Sequence, residues 1–123
     1  MRVSTLTWMA GVGFAALLAQ AAVASDEKPA AKEKPPEFTK AYLDDVKNQK
    51  AGETLWQDQC RHCHGASAYP GKAPKLKPYR YKPKFVYDRI TNGFKKMPAW
   101  DEVYSKAERM ALVAFILSDD FSP

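Results

Sequence analysis

The stretch from Gln59 to Ser67, QCRHCHGAS, contains both cysteines and both histidines of the 123-residue chain. Cys60 and Cys63 are separated by two residues, and His64 follows directly. Residue types in this pattern suit three kinds of chemistry: zinc binding, dithiol redox exchange, and covalent attachment of haem through two thioether bonds. The rest of the sequence has to decide among them.

Covalent haem attachment explains this spacing best. A zinc site requires four ligands, and the chain offers two cysteines and one usable histidine without a second cluster. A thioredoxin-like dithiol belongs in a βαβ setting, which the helical periodicity of this chain does not provide. Two thiols one helical turn apart can reach the two vinyl groups on one porphyrin edge. We therefore predict one haem c, attached at Cys60 and Cys63 with His64 as the proximal iron ligand, and keep zinc and a bare dithiol as alternatives. His62 is expected to have no special role.

The second iron ligand is predicted from the methionines. If residues 1–24 are removed, Met97 and Met110 are the thioethers that remain. Met110 lies in an apolar helical run, where methionine usually packs. Met97 lies in a loop before Pro98, free to turn its sulfur towards a haem. We predict Met97 as the distal ligand; the alternative is a vacant or water-bound iron.

The N-terminal 24 residues have the three parts of a secretory signal peptide: a basic start at Arg2, an apolar run over residues 6–23, and small residues ending at Ala24. Cleavage after Ala24 would release the protein into the periplasm and lower its net charge from +5 to +4, because only Arg2 is lost. The alternative is an uncleaved membrane anchor, since roughly 18 to 20 apolar residues span a bilayer. We expect no stable membrane insertion after cleavage.

The remaining sequence divides into a tether and one small domain. Residues 25–37, SDEKPAAKEKPPE, are rich in proline and charge and predict a disordered or extended tether. Residues 38–123 predict a single monohaem domain, too small for a large hydrophobic core of its own. The haem would supplement that core, covered by six apolar side chains: Leu55, Leu76, Phe85, Ile90, Leu112 and Ile116.

Periodicity and breakers predict an all-α fold. The pattern from Thr39 to Trp56 is helical, with a break or bend at Gly52. A second helix begins at Pro83 and stops at Asn92-Gly93, and a loop rich in proline precedes it. Ser105 to Glu108 forms a capping box at the start of the last helix. No alternating strand pattern is present.

These motifs together resemble a small class I c-type cytochrome, an all-α fold whose N- and C-terminal helices cross while loops wrap one haem. Gly52 and Trp56 resemble the Gly-x-x-x-aromatic signature of that family's first helix. The resemblance implies that the small residue lets the last helix cross closely, and Phe115 matches the aromatic residue met there. It extends from Gly52 to about Leu117.

Two loops carry the same resemblance. Asn92-Gly93 followed by Met97-Pro98-Ala99-Trp100 resembles the loop that holds the ligand methionine. Ala73-Pro74-Lys75-Leu76 resembles a Pro-x-Leu segment whose proline carbonyl accepts a hydrogen bond from the proximal imidazole. The resemblance therefore implies a hydrogen bond from His64 to Pro74.

An iron with protein ligands on both faces has no open position for substrate. The predicted function is a soluble periplasmic electron carrier, not an enzyme, that exchanges single electrons between redox partners. One alternative is a haem-bearing subunit of a larger oxidase or dehydrogenase, which the tether and the Phe38–Lys50 extension would suit. The other is a haem-based gas sensor with a displaceable Met97.

Partner choice is predicted from charge. Nine basic residues and the single acid Asp88 lie between Lys72 and Lys96. We expect partners to be periplasmic redox proteins with an acidic docking face, met by a monomer, and nucleic acid to be no partner outside the cytoplasm. Tyr79 and Arg80 are candidate contacts of the haem propionates.

Overall fold

The computed structural model describes residues 33–67 and 71–121, which fall in a single unit, Lys32–Pro123. This part of the chain forms helices and turns with one isolated bridge, between Phe94 and Met97, and no strand. The predicted all-α class is therefore confirmed for the described residues. The helices are α1 (Lys40–Asp44), α2 (Val46–Leu55), α3 (Arg61–His64), α4 (Pro83–Asn92) and α5 (Lys106–Ile116), with a π-helical turn at Trp56–Cys60 and a 3-10 turn at Pro78–Arg80.

The last helix, α5, begins at the predicted capping box. The Ser105 hydroxyl accepts the Glu108 backbone N–H at 3.3 Å, and the Glu108 carboxylate accepts the Ser105 backbone N–H at 2.8 Å. Two backbone donors that a helix start leaves unpaired are thereby satisfied. Residues 111–116 are all buried, as the nearly continuous apolar run predicts.

Helix α5 crosses α2 at Gly52, where the two backbones touch. A Cβ atom built on Gly52 would lie 2.0 Å from the Ala111 carbonyl oxygen and 2.8 Å from the Phe115 Cβ atom. No side chain larger than hydrogen fits there. The close crossing that the family resemblance implied is confirmed, and Phe115 does meet the next turn of the first helix, since its ring centre lies 6.3 Å from that of Trp56.

Of the predicted break or bend at Gly52, the break is wrong, because α2 continues through this residue. The helical path is interrupted at Asp45, which is extended and accepts the Lys47 backbone N–H at 2.8 Å as the N-cap of α2. From Val46 the chain remains helical through the π-helical turn and into α3. This helical path ends at Gly65, whose φ is 85°. Packing against α5 holds Gly52 in the helix interior despite the poor helix propensity of glycine.

Helix α4 has the predicted bounds. Pro83 occupies its first turn, and Gly93 ends it with φ of 70°. Val86, Tyr87, Ile90 and Thr91 are buried on one side of it. Val86 and Ile90 are four residues apart, as are Tyr87 and Thr91, so the two pairs share one helix face. This spacing explains why the apolar pattern located the helix correctly.

The chain makes ordered contacts before the predicted domain boundary at Phe38. The Glu33 carboxylate accepts hydrogen bonds from Arg109 at 2.7 Å and from the Tyr87 hydroxyl at 3.0 Å. Arg109, only 4% exposed, also donates to the Thr91 hydroxyl at 2.8 Å. Glu33 therefore supplies the counter-charge of a buried arginine, and this end of the predicted tether is part of the folded unit. Residues 25–32 and the predicted signal segment lie outside the described residues.

The segment from Phe38 to Lys50 packs on this core. The Phe38 ring centre lies 6.0 Å from that of Tyr87 and 6.3 Å from that of Tyr42 in α1. Helix α1 contacts both α2 and α5. The extension is thus a structural cover for the helices. Within the described part of the chain, no helix is both long enough and apolar enough to cross a bilayer.

We predict that Glu33→Gln lowers the free energy of unfolding by about 1 to 2 kcal/mol at neutral pH, because buried Arg109 keeps its charge and loses its counter-charge. Desolvation opposes ionisation, but the hydrogen bond from Arg109 holds the pKa of Glu33 below its ordinary value. The difference from the unaltered protein should be fully present above about pH 4.5 and vanish as the pH falls through the lower, folded pKa.

Chemical denaturation at several pH values measures this difference. Glu37→Gln removes the same charge from an exposed carboxylate that pairs with Lys84, and it should change stability much less. A Glu33→Gln protein as stable as the Glu37→Gln protein at neutral pH would contradict the assigned role of Glu33.

Candidate functional site

An apolar cleft of about 380 Å³ opens beside the Cys-x-x-Cys-His motif. Its walls come from the motif, the loop after it, the methionine loop and helices α4 and α5, so residues distant in sequence meet around one space. The motif and its preceding turn contribute three lining residues, and the following loop contributes two: Trp56, Cys60, His64, Leu76 and Tyr81. Helices α4 and α5 and the methionine loop contribute the rest: Phe85, Val86, Arg89, Ile90, Phe94, Met97 and Ile116.

The π-helical turn at Trp56–Cys60 carries the chain into the motif. The Arg61 backbone N–H reaches the Trp56 carbonyl five residues back, one residue further than in an α-helix. Such wide turns are frequent at functional sites, because they shift the face that following side chains present. Cys60 lines the cleft and is half-buried, whereas Cys63 is exposed and does not line it.

Both cysteines are free thiols in the structure, so the two do not form a disulfide. Burial, with a smaller contribution from neighbouring Cys63, raises the pKa of Cys60 to about 11. Cys60 therefore remains a neutral thiol at ordinary pH. Between them, His62 is exposed, and its Nε2 donates to the Asp58 carbonyl at 3.0 Å. It does not line the cleft.

His64 lines the cleft beside Trp56, with ring centres 5.5 Å apart. The Trp56 indole N–H is shared between the carbonyls of Gly65 at 3.0 Å and Ala66 at 3.1 Å, so it fixes the chain directly after the histidine. Burial lowers the pKa of His64, which favours the neutral imidazole that binds metals. The sequence motif and the first-helix aromatic are thus tied together.

The predicted hydrogen bond from His64 to the Pro74 carbonyl is not formed in this structure. His64 Nδ1 is buried and has no hydrogen-bond partner among the described residues, and Pro74 is exposed. The loop does approach the motif one residue earlier, where the Ala73 backbone N–H donates to the Cys63 carbonyl at 2.8 Å. A buried ring nitrogen without a hydrogen-bond partner lowers the stability of the fold, so His64 Nδ1 calls for a partner.

Met97 reaches the cleft on a tight turn. Phe94 and Met97 exchange two backbone hydrogen bonds, each of 3.0 Å, and the Trp100 backbone N–H donates to the Ile90 carbonyl at 3.0 Å. Gly93 allows this approach, since a Cβ atom there would lie 2.5 Å from the Met97 carbonyl oxygen. Met97 and His64 therefore line the same cleft. Met110, the other candidate thioether, is half-buried in α5 and does not line it.

Gly71 is a contact residue that the sequence analysis missed. A Cβ atom on Gly71 would lie 2.3 Å from the Cys63 carbonyl oxygen, 2.6 Å from the His64 carbonyl carbon and 2.7 Å from the Gly65 nitrogen. The loop backbone therefore lies directly on the backbone of the motif. A glycine in a proline-rich loop gives no sequence signal that separates this role from an ordinary turn.

The candidate propionate contacts, Tyr79 and Arg80, are both exposed, and neither lines the cleft. The Arg80 guanidinium carbon instead lies 5.7 Å from the centre of the Tyr79 ring. Tyr81 and Arg89 are the hydroxyl and the guanidinium that the structure places in the cleft. Of the six apolar residues expected to cover the haem, four line the cleft, whereas Leu112 is buried in the core and Leu55 packs at its edge.

Two rival sites receive no support. Among the described residues, no group of three or more His, Cys, Asp and Glu side chains is arranged to hold a metal ion. A second depression of about 380 Å³ lies between α1 and the end of α5. Its lining is mostly polar, with Leu43 and Leu117 as the apolar members, and its Lys40 pairs with Asp44. Cys60, His64 and Met97 line the apolar cleft instead.

The cleft fits a haem on its own chemistry. Its lining is mostly carbon, as a porphyrin face requires, and it holds a thiol, an imidazole and a thioether. The His64 ring packs beside Trp56, and its buried Nδ1 has no hydrogen-bond partner among the described residues. Soft sulfur and imidazole donors of this kind are haem iron ligands.

Comparison with known proteins gives the same class. The family model described as cytochrome c oxidase, cbb3-type, subunit III matches residues 47–116, more than half of the chain. The chain therefore belongs to this family of c-type cytochromes. Its members transfer electrons through covalently bound haem c, and the matched range contains Cys60, Cys63, His64 and Met97.

A relative from Pseudomonas putida, the cytochrome c subunit of hydroxylating 4-cresol dehydrogenase, is 32% identical over 68 residues. The alignment covers 55% of this chain and 58% of the relative, so the chain matches a little over half of that protein. No solved structure matches the chain.

We predict that Gly71→Ala destabilises the mature protein by about 1 to 3 kcal/mol, because the added methyl group forces the loop away from the motif backbone. Equilibrium unfolding measures the change. Lys72→Ala, at the exposed neighbouring position, is the control and should be close to neutral. Equal stability of the two variants would show that the loop is not held against the motif.

Proposed function

We propose that the chain carries one haem c in the apolar cleft and acts as a periplasmic electron carrier. The haem is bound through thioether bonds to Cys60 and Cys63, with His64 and Met97 as its two iron ligands. The observation that supports this proposal most strongly is the meeting of Cys60, His64 and Met97 around one carbon-lined space. Cys60 and His64 belong to the Cys-x-x-Cys-His motif, and Met97 comes from a separate loop further along the chain.

Cys60 and Cys63 would hold the haem, each thiol adding across one vinyl group so that no group leaves. The bound haem would supply one-electron redox chemistry between a reduced donor and an oxidised acceptor. Trp56 orients His64, and the Phe94–Met97 turn presents the thioether. The apolar lining excludes water from both ligands.

Pro74 is the proposed partner of the unpaired His64 Nδ1 in the haem-bound protein. A hydrogen bond from Nδ1 to the Pro74 carbonyl would place the proton on that nitrogen and leave Nε2 for the iron. Second-shell bonds of this kind commonly fix the tautomer of a ligating histidine. The supporting observation is that the loop already lies one residue away, at the Ala73–Cys63 hydrogen bond.

A second candidate function is a haem-bearing subunit of a dehydrogenase complex. The relative in Pseudomonas putida is, by its printed name, a cytochrome c subunit of such an enzyme. In that role the chain would still carry single electrons and would not be the enzyme itself. A lasting complex would distinguish this candidate from a carrier that works as a monomer between encounters.

Basic side chains around the cleft support an acidic docking face on the partner. Lys95 and Lys96 lie in the turn between Phe94 and Met97, both of which line the cleft. Eight of the nine basic residues between Lys72 and Lys96 are exposed, and the exception, Arg89, lines the cleft. Such a concentration of positive charge would steer an anionic partner towards the cleft. Nucleic acid is left out as a partner because of the predicted export from the cytoplasm, not because of this charge.

We predict that the ferrous protein does not bind carbon monoxide, because His64 and Met97 would both be ligands of the iron. Met97→Ala should remove the long-wavelength sulfur–iron absorption of the ferric protein, lower its reduction potential and allow carbon monoxide to bind. Optical titration of both proteins measures all three changes.

Met110→Ala is the control, since Met110 does not line the cleft and its loss should leave the spectrum unchanged. If Met110→Ala opens the iron and Met97→Ala does not, the ligand assignment is wrong. Rapid carbon monoxide binding by the unaltered protein would instead favour the gas sensor.

We also predict that Lys96→Glu slows oxidation of the ferrous protein by hexacyanoferrate(III), a small anionic oxidant, and weakens the dependence of this rate on salt. Salt screens such attraction over about 8 to 10 Å. Lys47→Glu is the matched control, because Lys47 is exposed near the start of α2, far along the chain from the methionine turn. Lys50 is unsuitable, since it pairs with Glu53 at 2.9 Å.

With a cationic cobalt complex as oxidant, Lys96→Glu should raise the rate. Stopped-flow absorbance at several salt concentrations gives every rate. Equal effects of Lys96→Glu and Lys47→Glu would mean that total charge matters and that no docking face is specified.

A further inference from the structure

Arg89 is the one lysine, arginine, aspartate or glutamate among the described residues that line the cleft. It is half-buried, and no hydrogen bond or ion pair joins its guanidinium to another described residue. The neighbouring Asp88 is engaged elsewhere, since its carboxylate accepts the Asn92 amide at 2.8 Å. A cation at an apolar surface without a counter-charge is unfavourable, so this position calls for an anion.

Two aromatic rings hold the guanidinium in place. Its central carbon lies 5.0 Å from the centre of the Phe85 ring and 4.1 Å from the centre of the Phe94 ring. Phe85 and Arg89 are one helical turn apart on α4, and Phe94 follows the end of that helix. Stacking occupies the flat faces of a guanidinium and leaves the N–H donors at its edge free. The N–H donors at the edge of the Arg89 guanidinium are therefore held in one orientation, and no described residue accepts a hydrogen bond from them.

We propose that Arg89 binds a carboxylate of the cofactor, one of the two haem propionates. This inference rests on the proposed function, because it requires a haem in the cleft. A planar carboxylate fits the two-pronged donor edge of arginine better than any other group that the cofactor carries. The pair neutralises a negative charge close to the iron, and Arg89 thereby keeps the reduction potential high.

The position of the other candidates supports Arg89 over them. Arg80 stacks on Tyr79 at the exposed surface, outside the cleft. The Tyr81 oxygen already accepts the Lys77 backbone N–H at 3.0 Å, although its own proton remains available as a second donor. Lys95 lies 5.3 Å from the centre of the Phe94 ring but does not line the cleft. Phe85 and Phe94 are 44% and 49% exposed, so a seated cofactor would cover apolar surface on both sides of the arginine.

The test is the reduction potential of the holoprotein as a function of pH, measured by optical titration in Arg89→Gln and Arg89→Lys. In the unaltered protein a paired carboxylate stays ionised, and the potential should be level from about pH 5 to about pH 8. In Arg89→Gln the unpaired carboxyl should titrate in that range. Its deprotonation stabilises the ferric state, so the potential should be lower and should fall as the pH rises.

Arg80→Gln is the matched control, because it removes the same charge outside the cleft. It should retain the level profile. Arg89→Lys keeps the charge but not the fork, and its profile should change in the same direction as that of Arg89→Gln, by less. The visible spectrum and a one-electron response in every variant show separately that the haem and its ligands are intact.

An Arg89→Gln protein with the profile of the unaltered protein overturns the proposal. If such a protein also reacts more slowly with hexacyanoferrate(III), Arg89 belongs to the docking surface instead. If Arg89→Gln retains no haem, Arg89→Lys decides, and an unaltered profile there assigns Arg89 a purely structural role. An unaltered chain that attaches no haem at all fails the proposed function itself, which is a separate outcome.

Discussion

The close crossing of α2 and α5 is the constraint on which the rest of the site depends. At Gly52 the helices approach until a Cβ atom would lie 2.0 Å from the Ala111 carbonyl oxygen. One turn later, Trp56 packs against Phe115 and Phe121, whose ring centres lie 6.3 and 4.7 Å away. The opposite edge of the same indole holds the backbone after His64. The crossing thus fixes the position of the motif against the end of α5, where Ile116 lines the cleft.

The cleft is the second constraint on the structure, because its apolar walls are not covered by the described part of the chain. Fully buried side chains such as Tyr87, Leu112 and Phe121 form a core away from solvent, but the cleft leaves apolar walls open. A domain of this size has little core to spare. A covalently bound, mostly apolar cofactor would fill that space and join α4, α5 and the methionine turn into one packed unit. Attachment of the proposed cofactor would therefore also stabilise the fold.

Much of the site could be predicted from the sequence because covalent attachment requires its residues to be adjacent. Cys60, Cys63 and His64 have to be close in sequence, and Met97 is the one loop thioether after the first 24 residues. Helices with strong start and stop signals, such as Ser105 before α5 and Gly93 after α4, were also predicted correctly. Local chemistry determines these features.

Features that depend on contacts between distant residues could not be predicted in the same way. Glycine propensity indicated a break at Gly52, but its role is set by Ala111 in another helix. The composition around Glu33 indicated a tether, because nothing local reveals that its counter-charge is buried Arg109, 76 residues later. Arg89 is one of nine basic residues in its segment, and only its place on the face of α4 beside Val86 and Ile90 distinguishes it.

The central claim is that Cys60 and Cys63 hold one haem covalently in the cleft. Intact mass spectrometry under denaturing conditions tests it most directly, on protein exported and matured in a periplasm with haem-attachment machinery. The account predicts the mass of the chain plus one haem, with the added mass on the peptide that contains both cysteines and no thiol left to alkylate. A chain without added mass, carrying two alkylatable thiols after the same maturation, would contradict it.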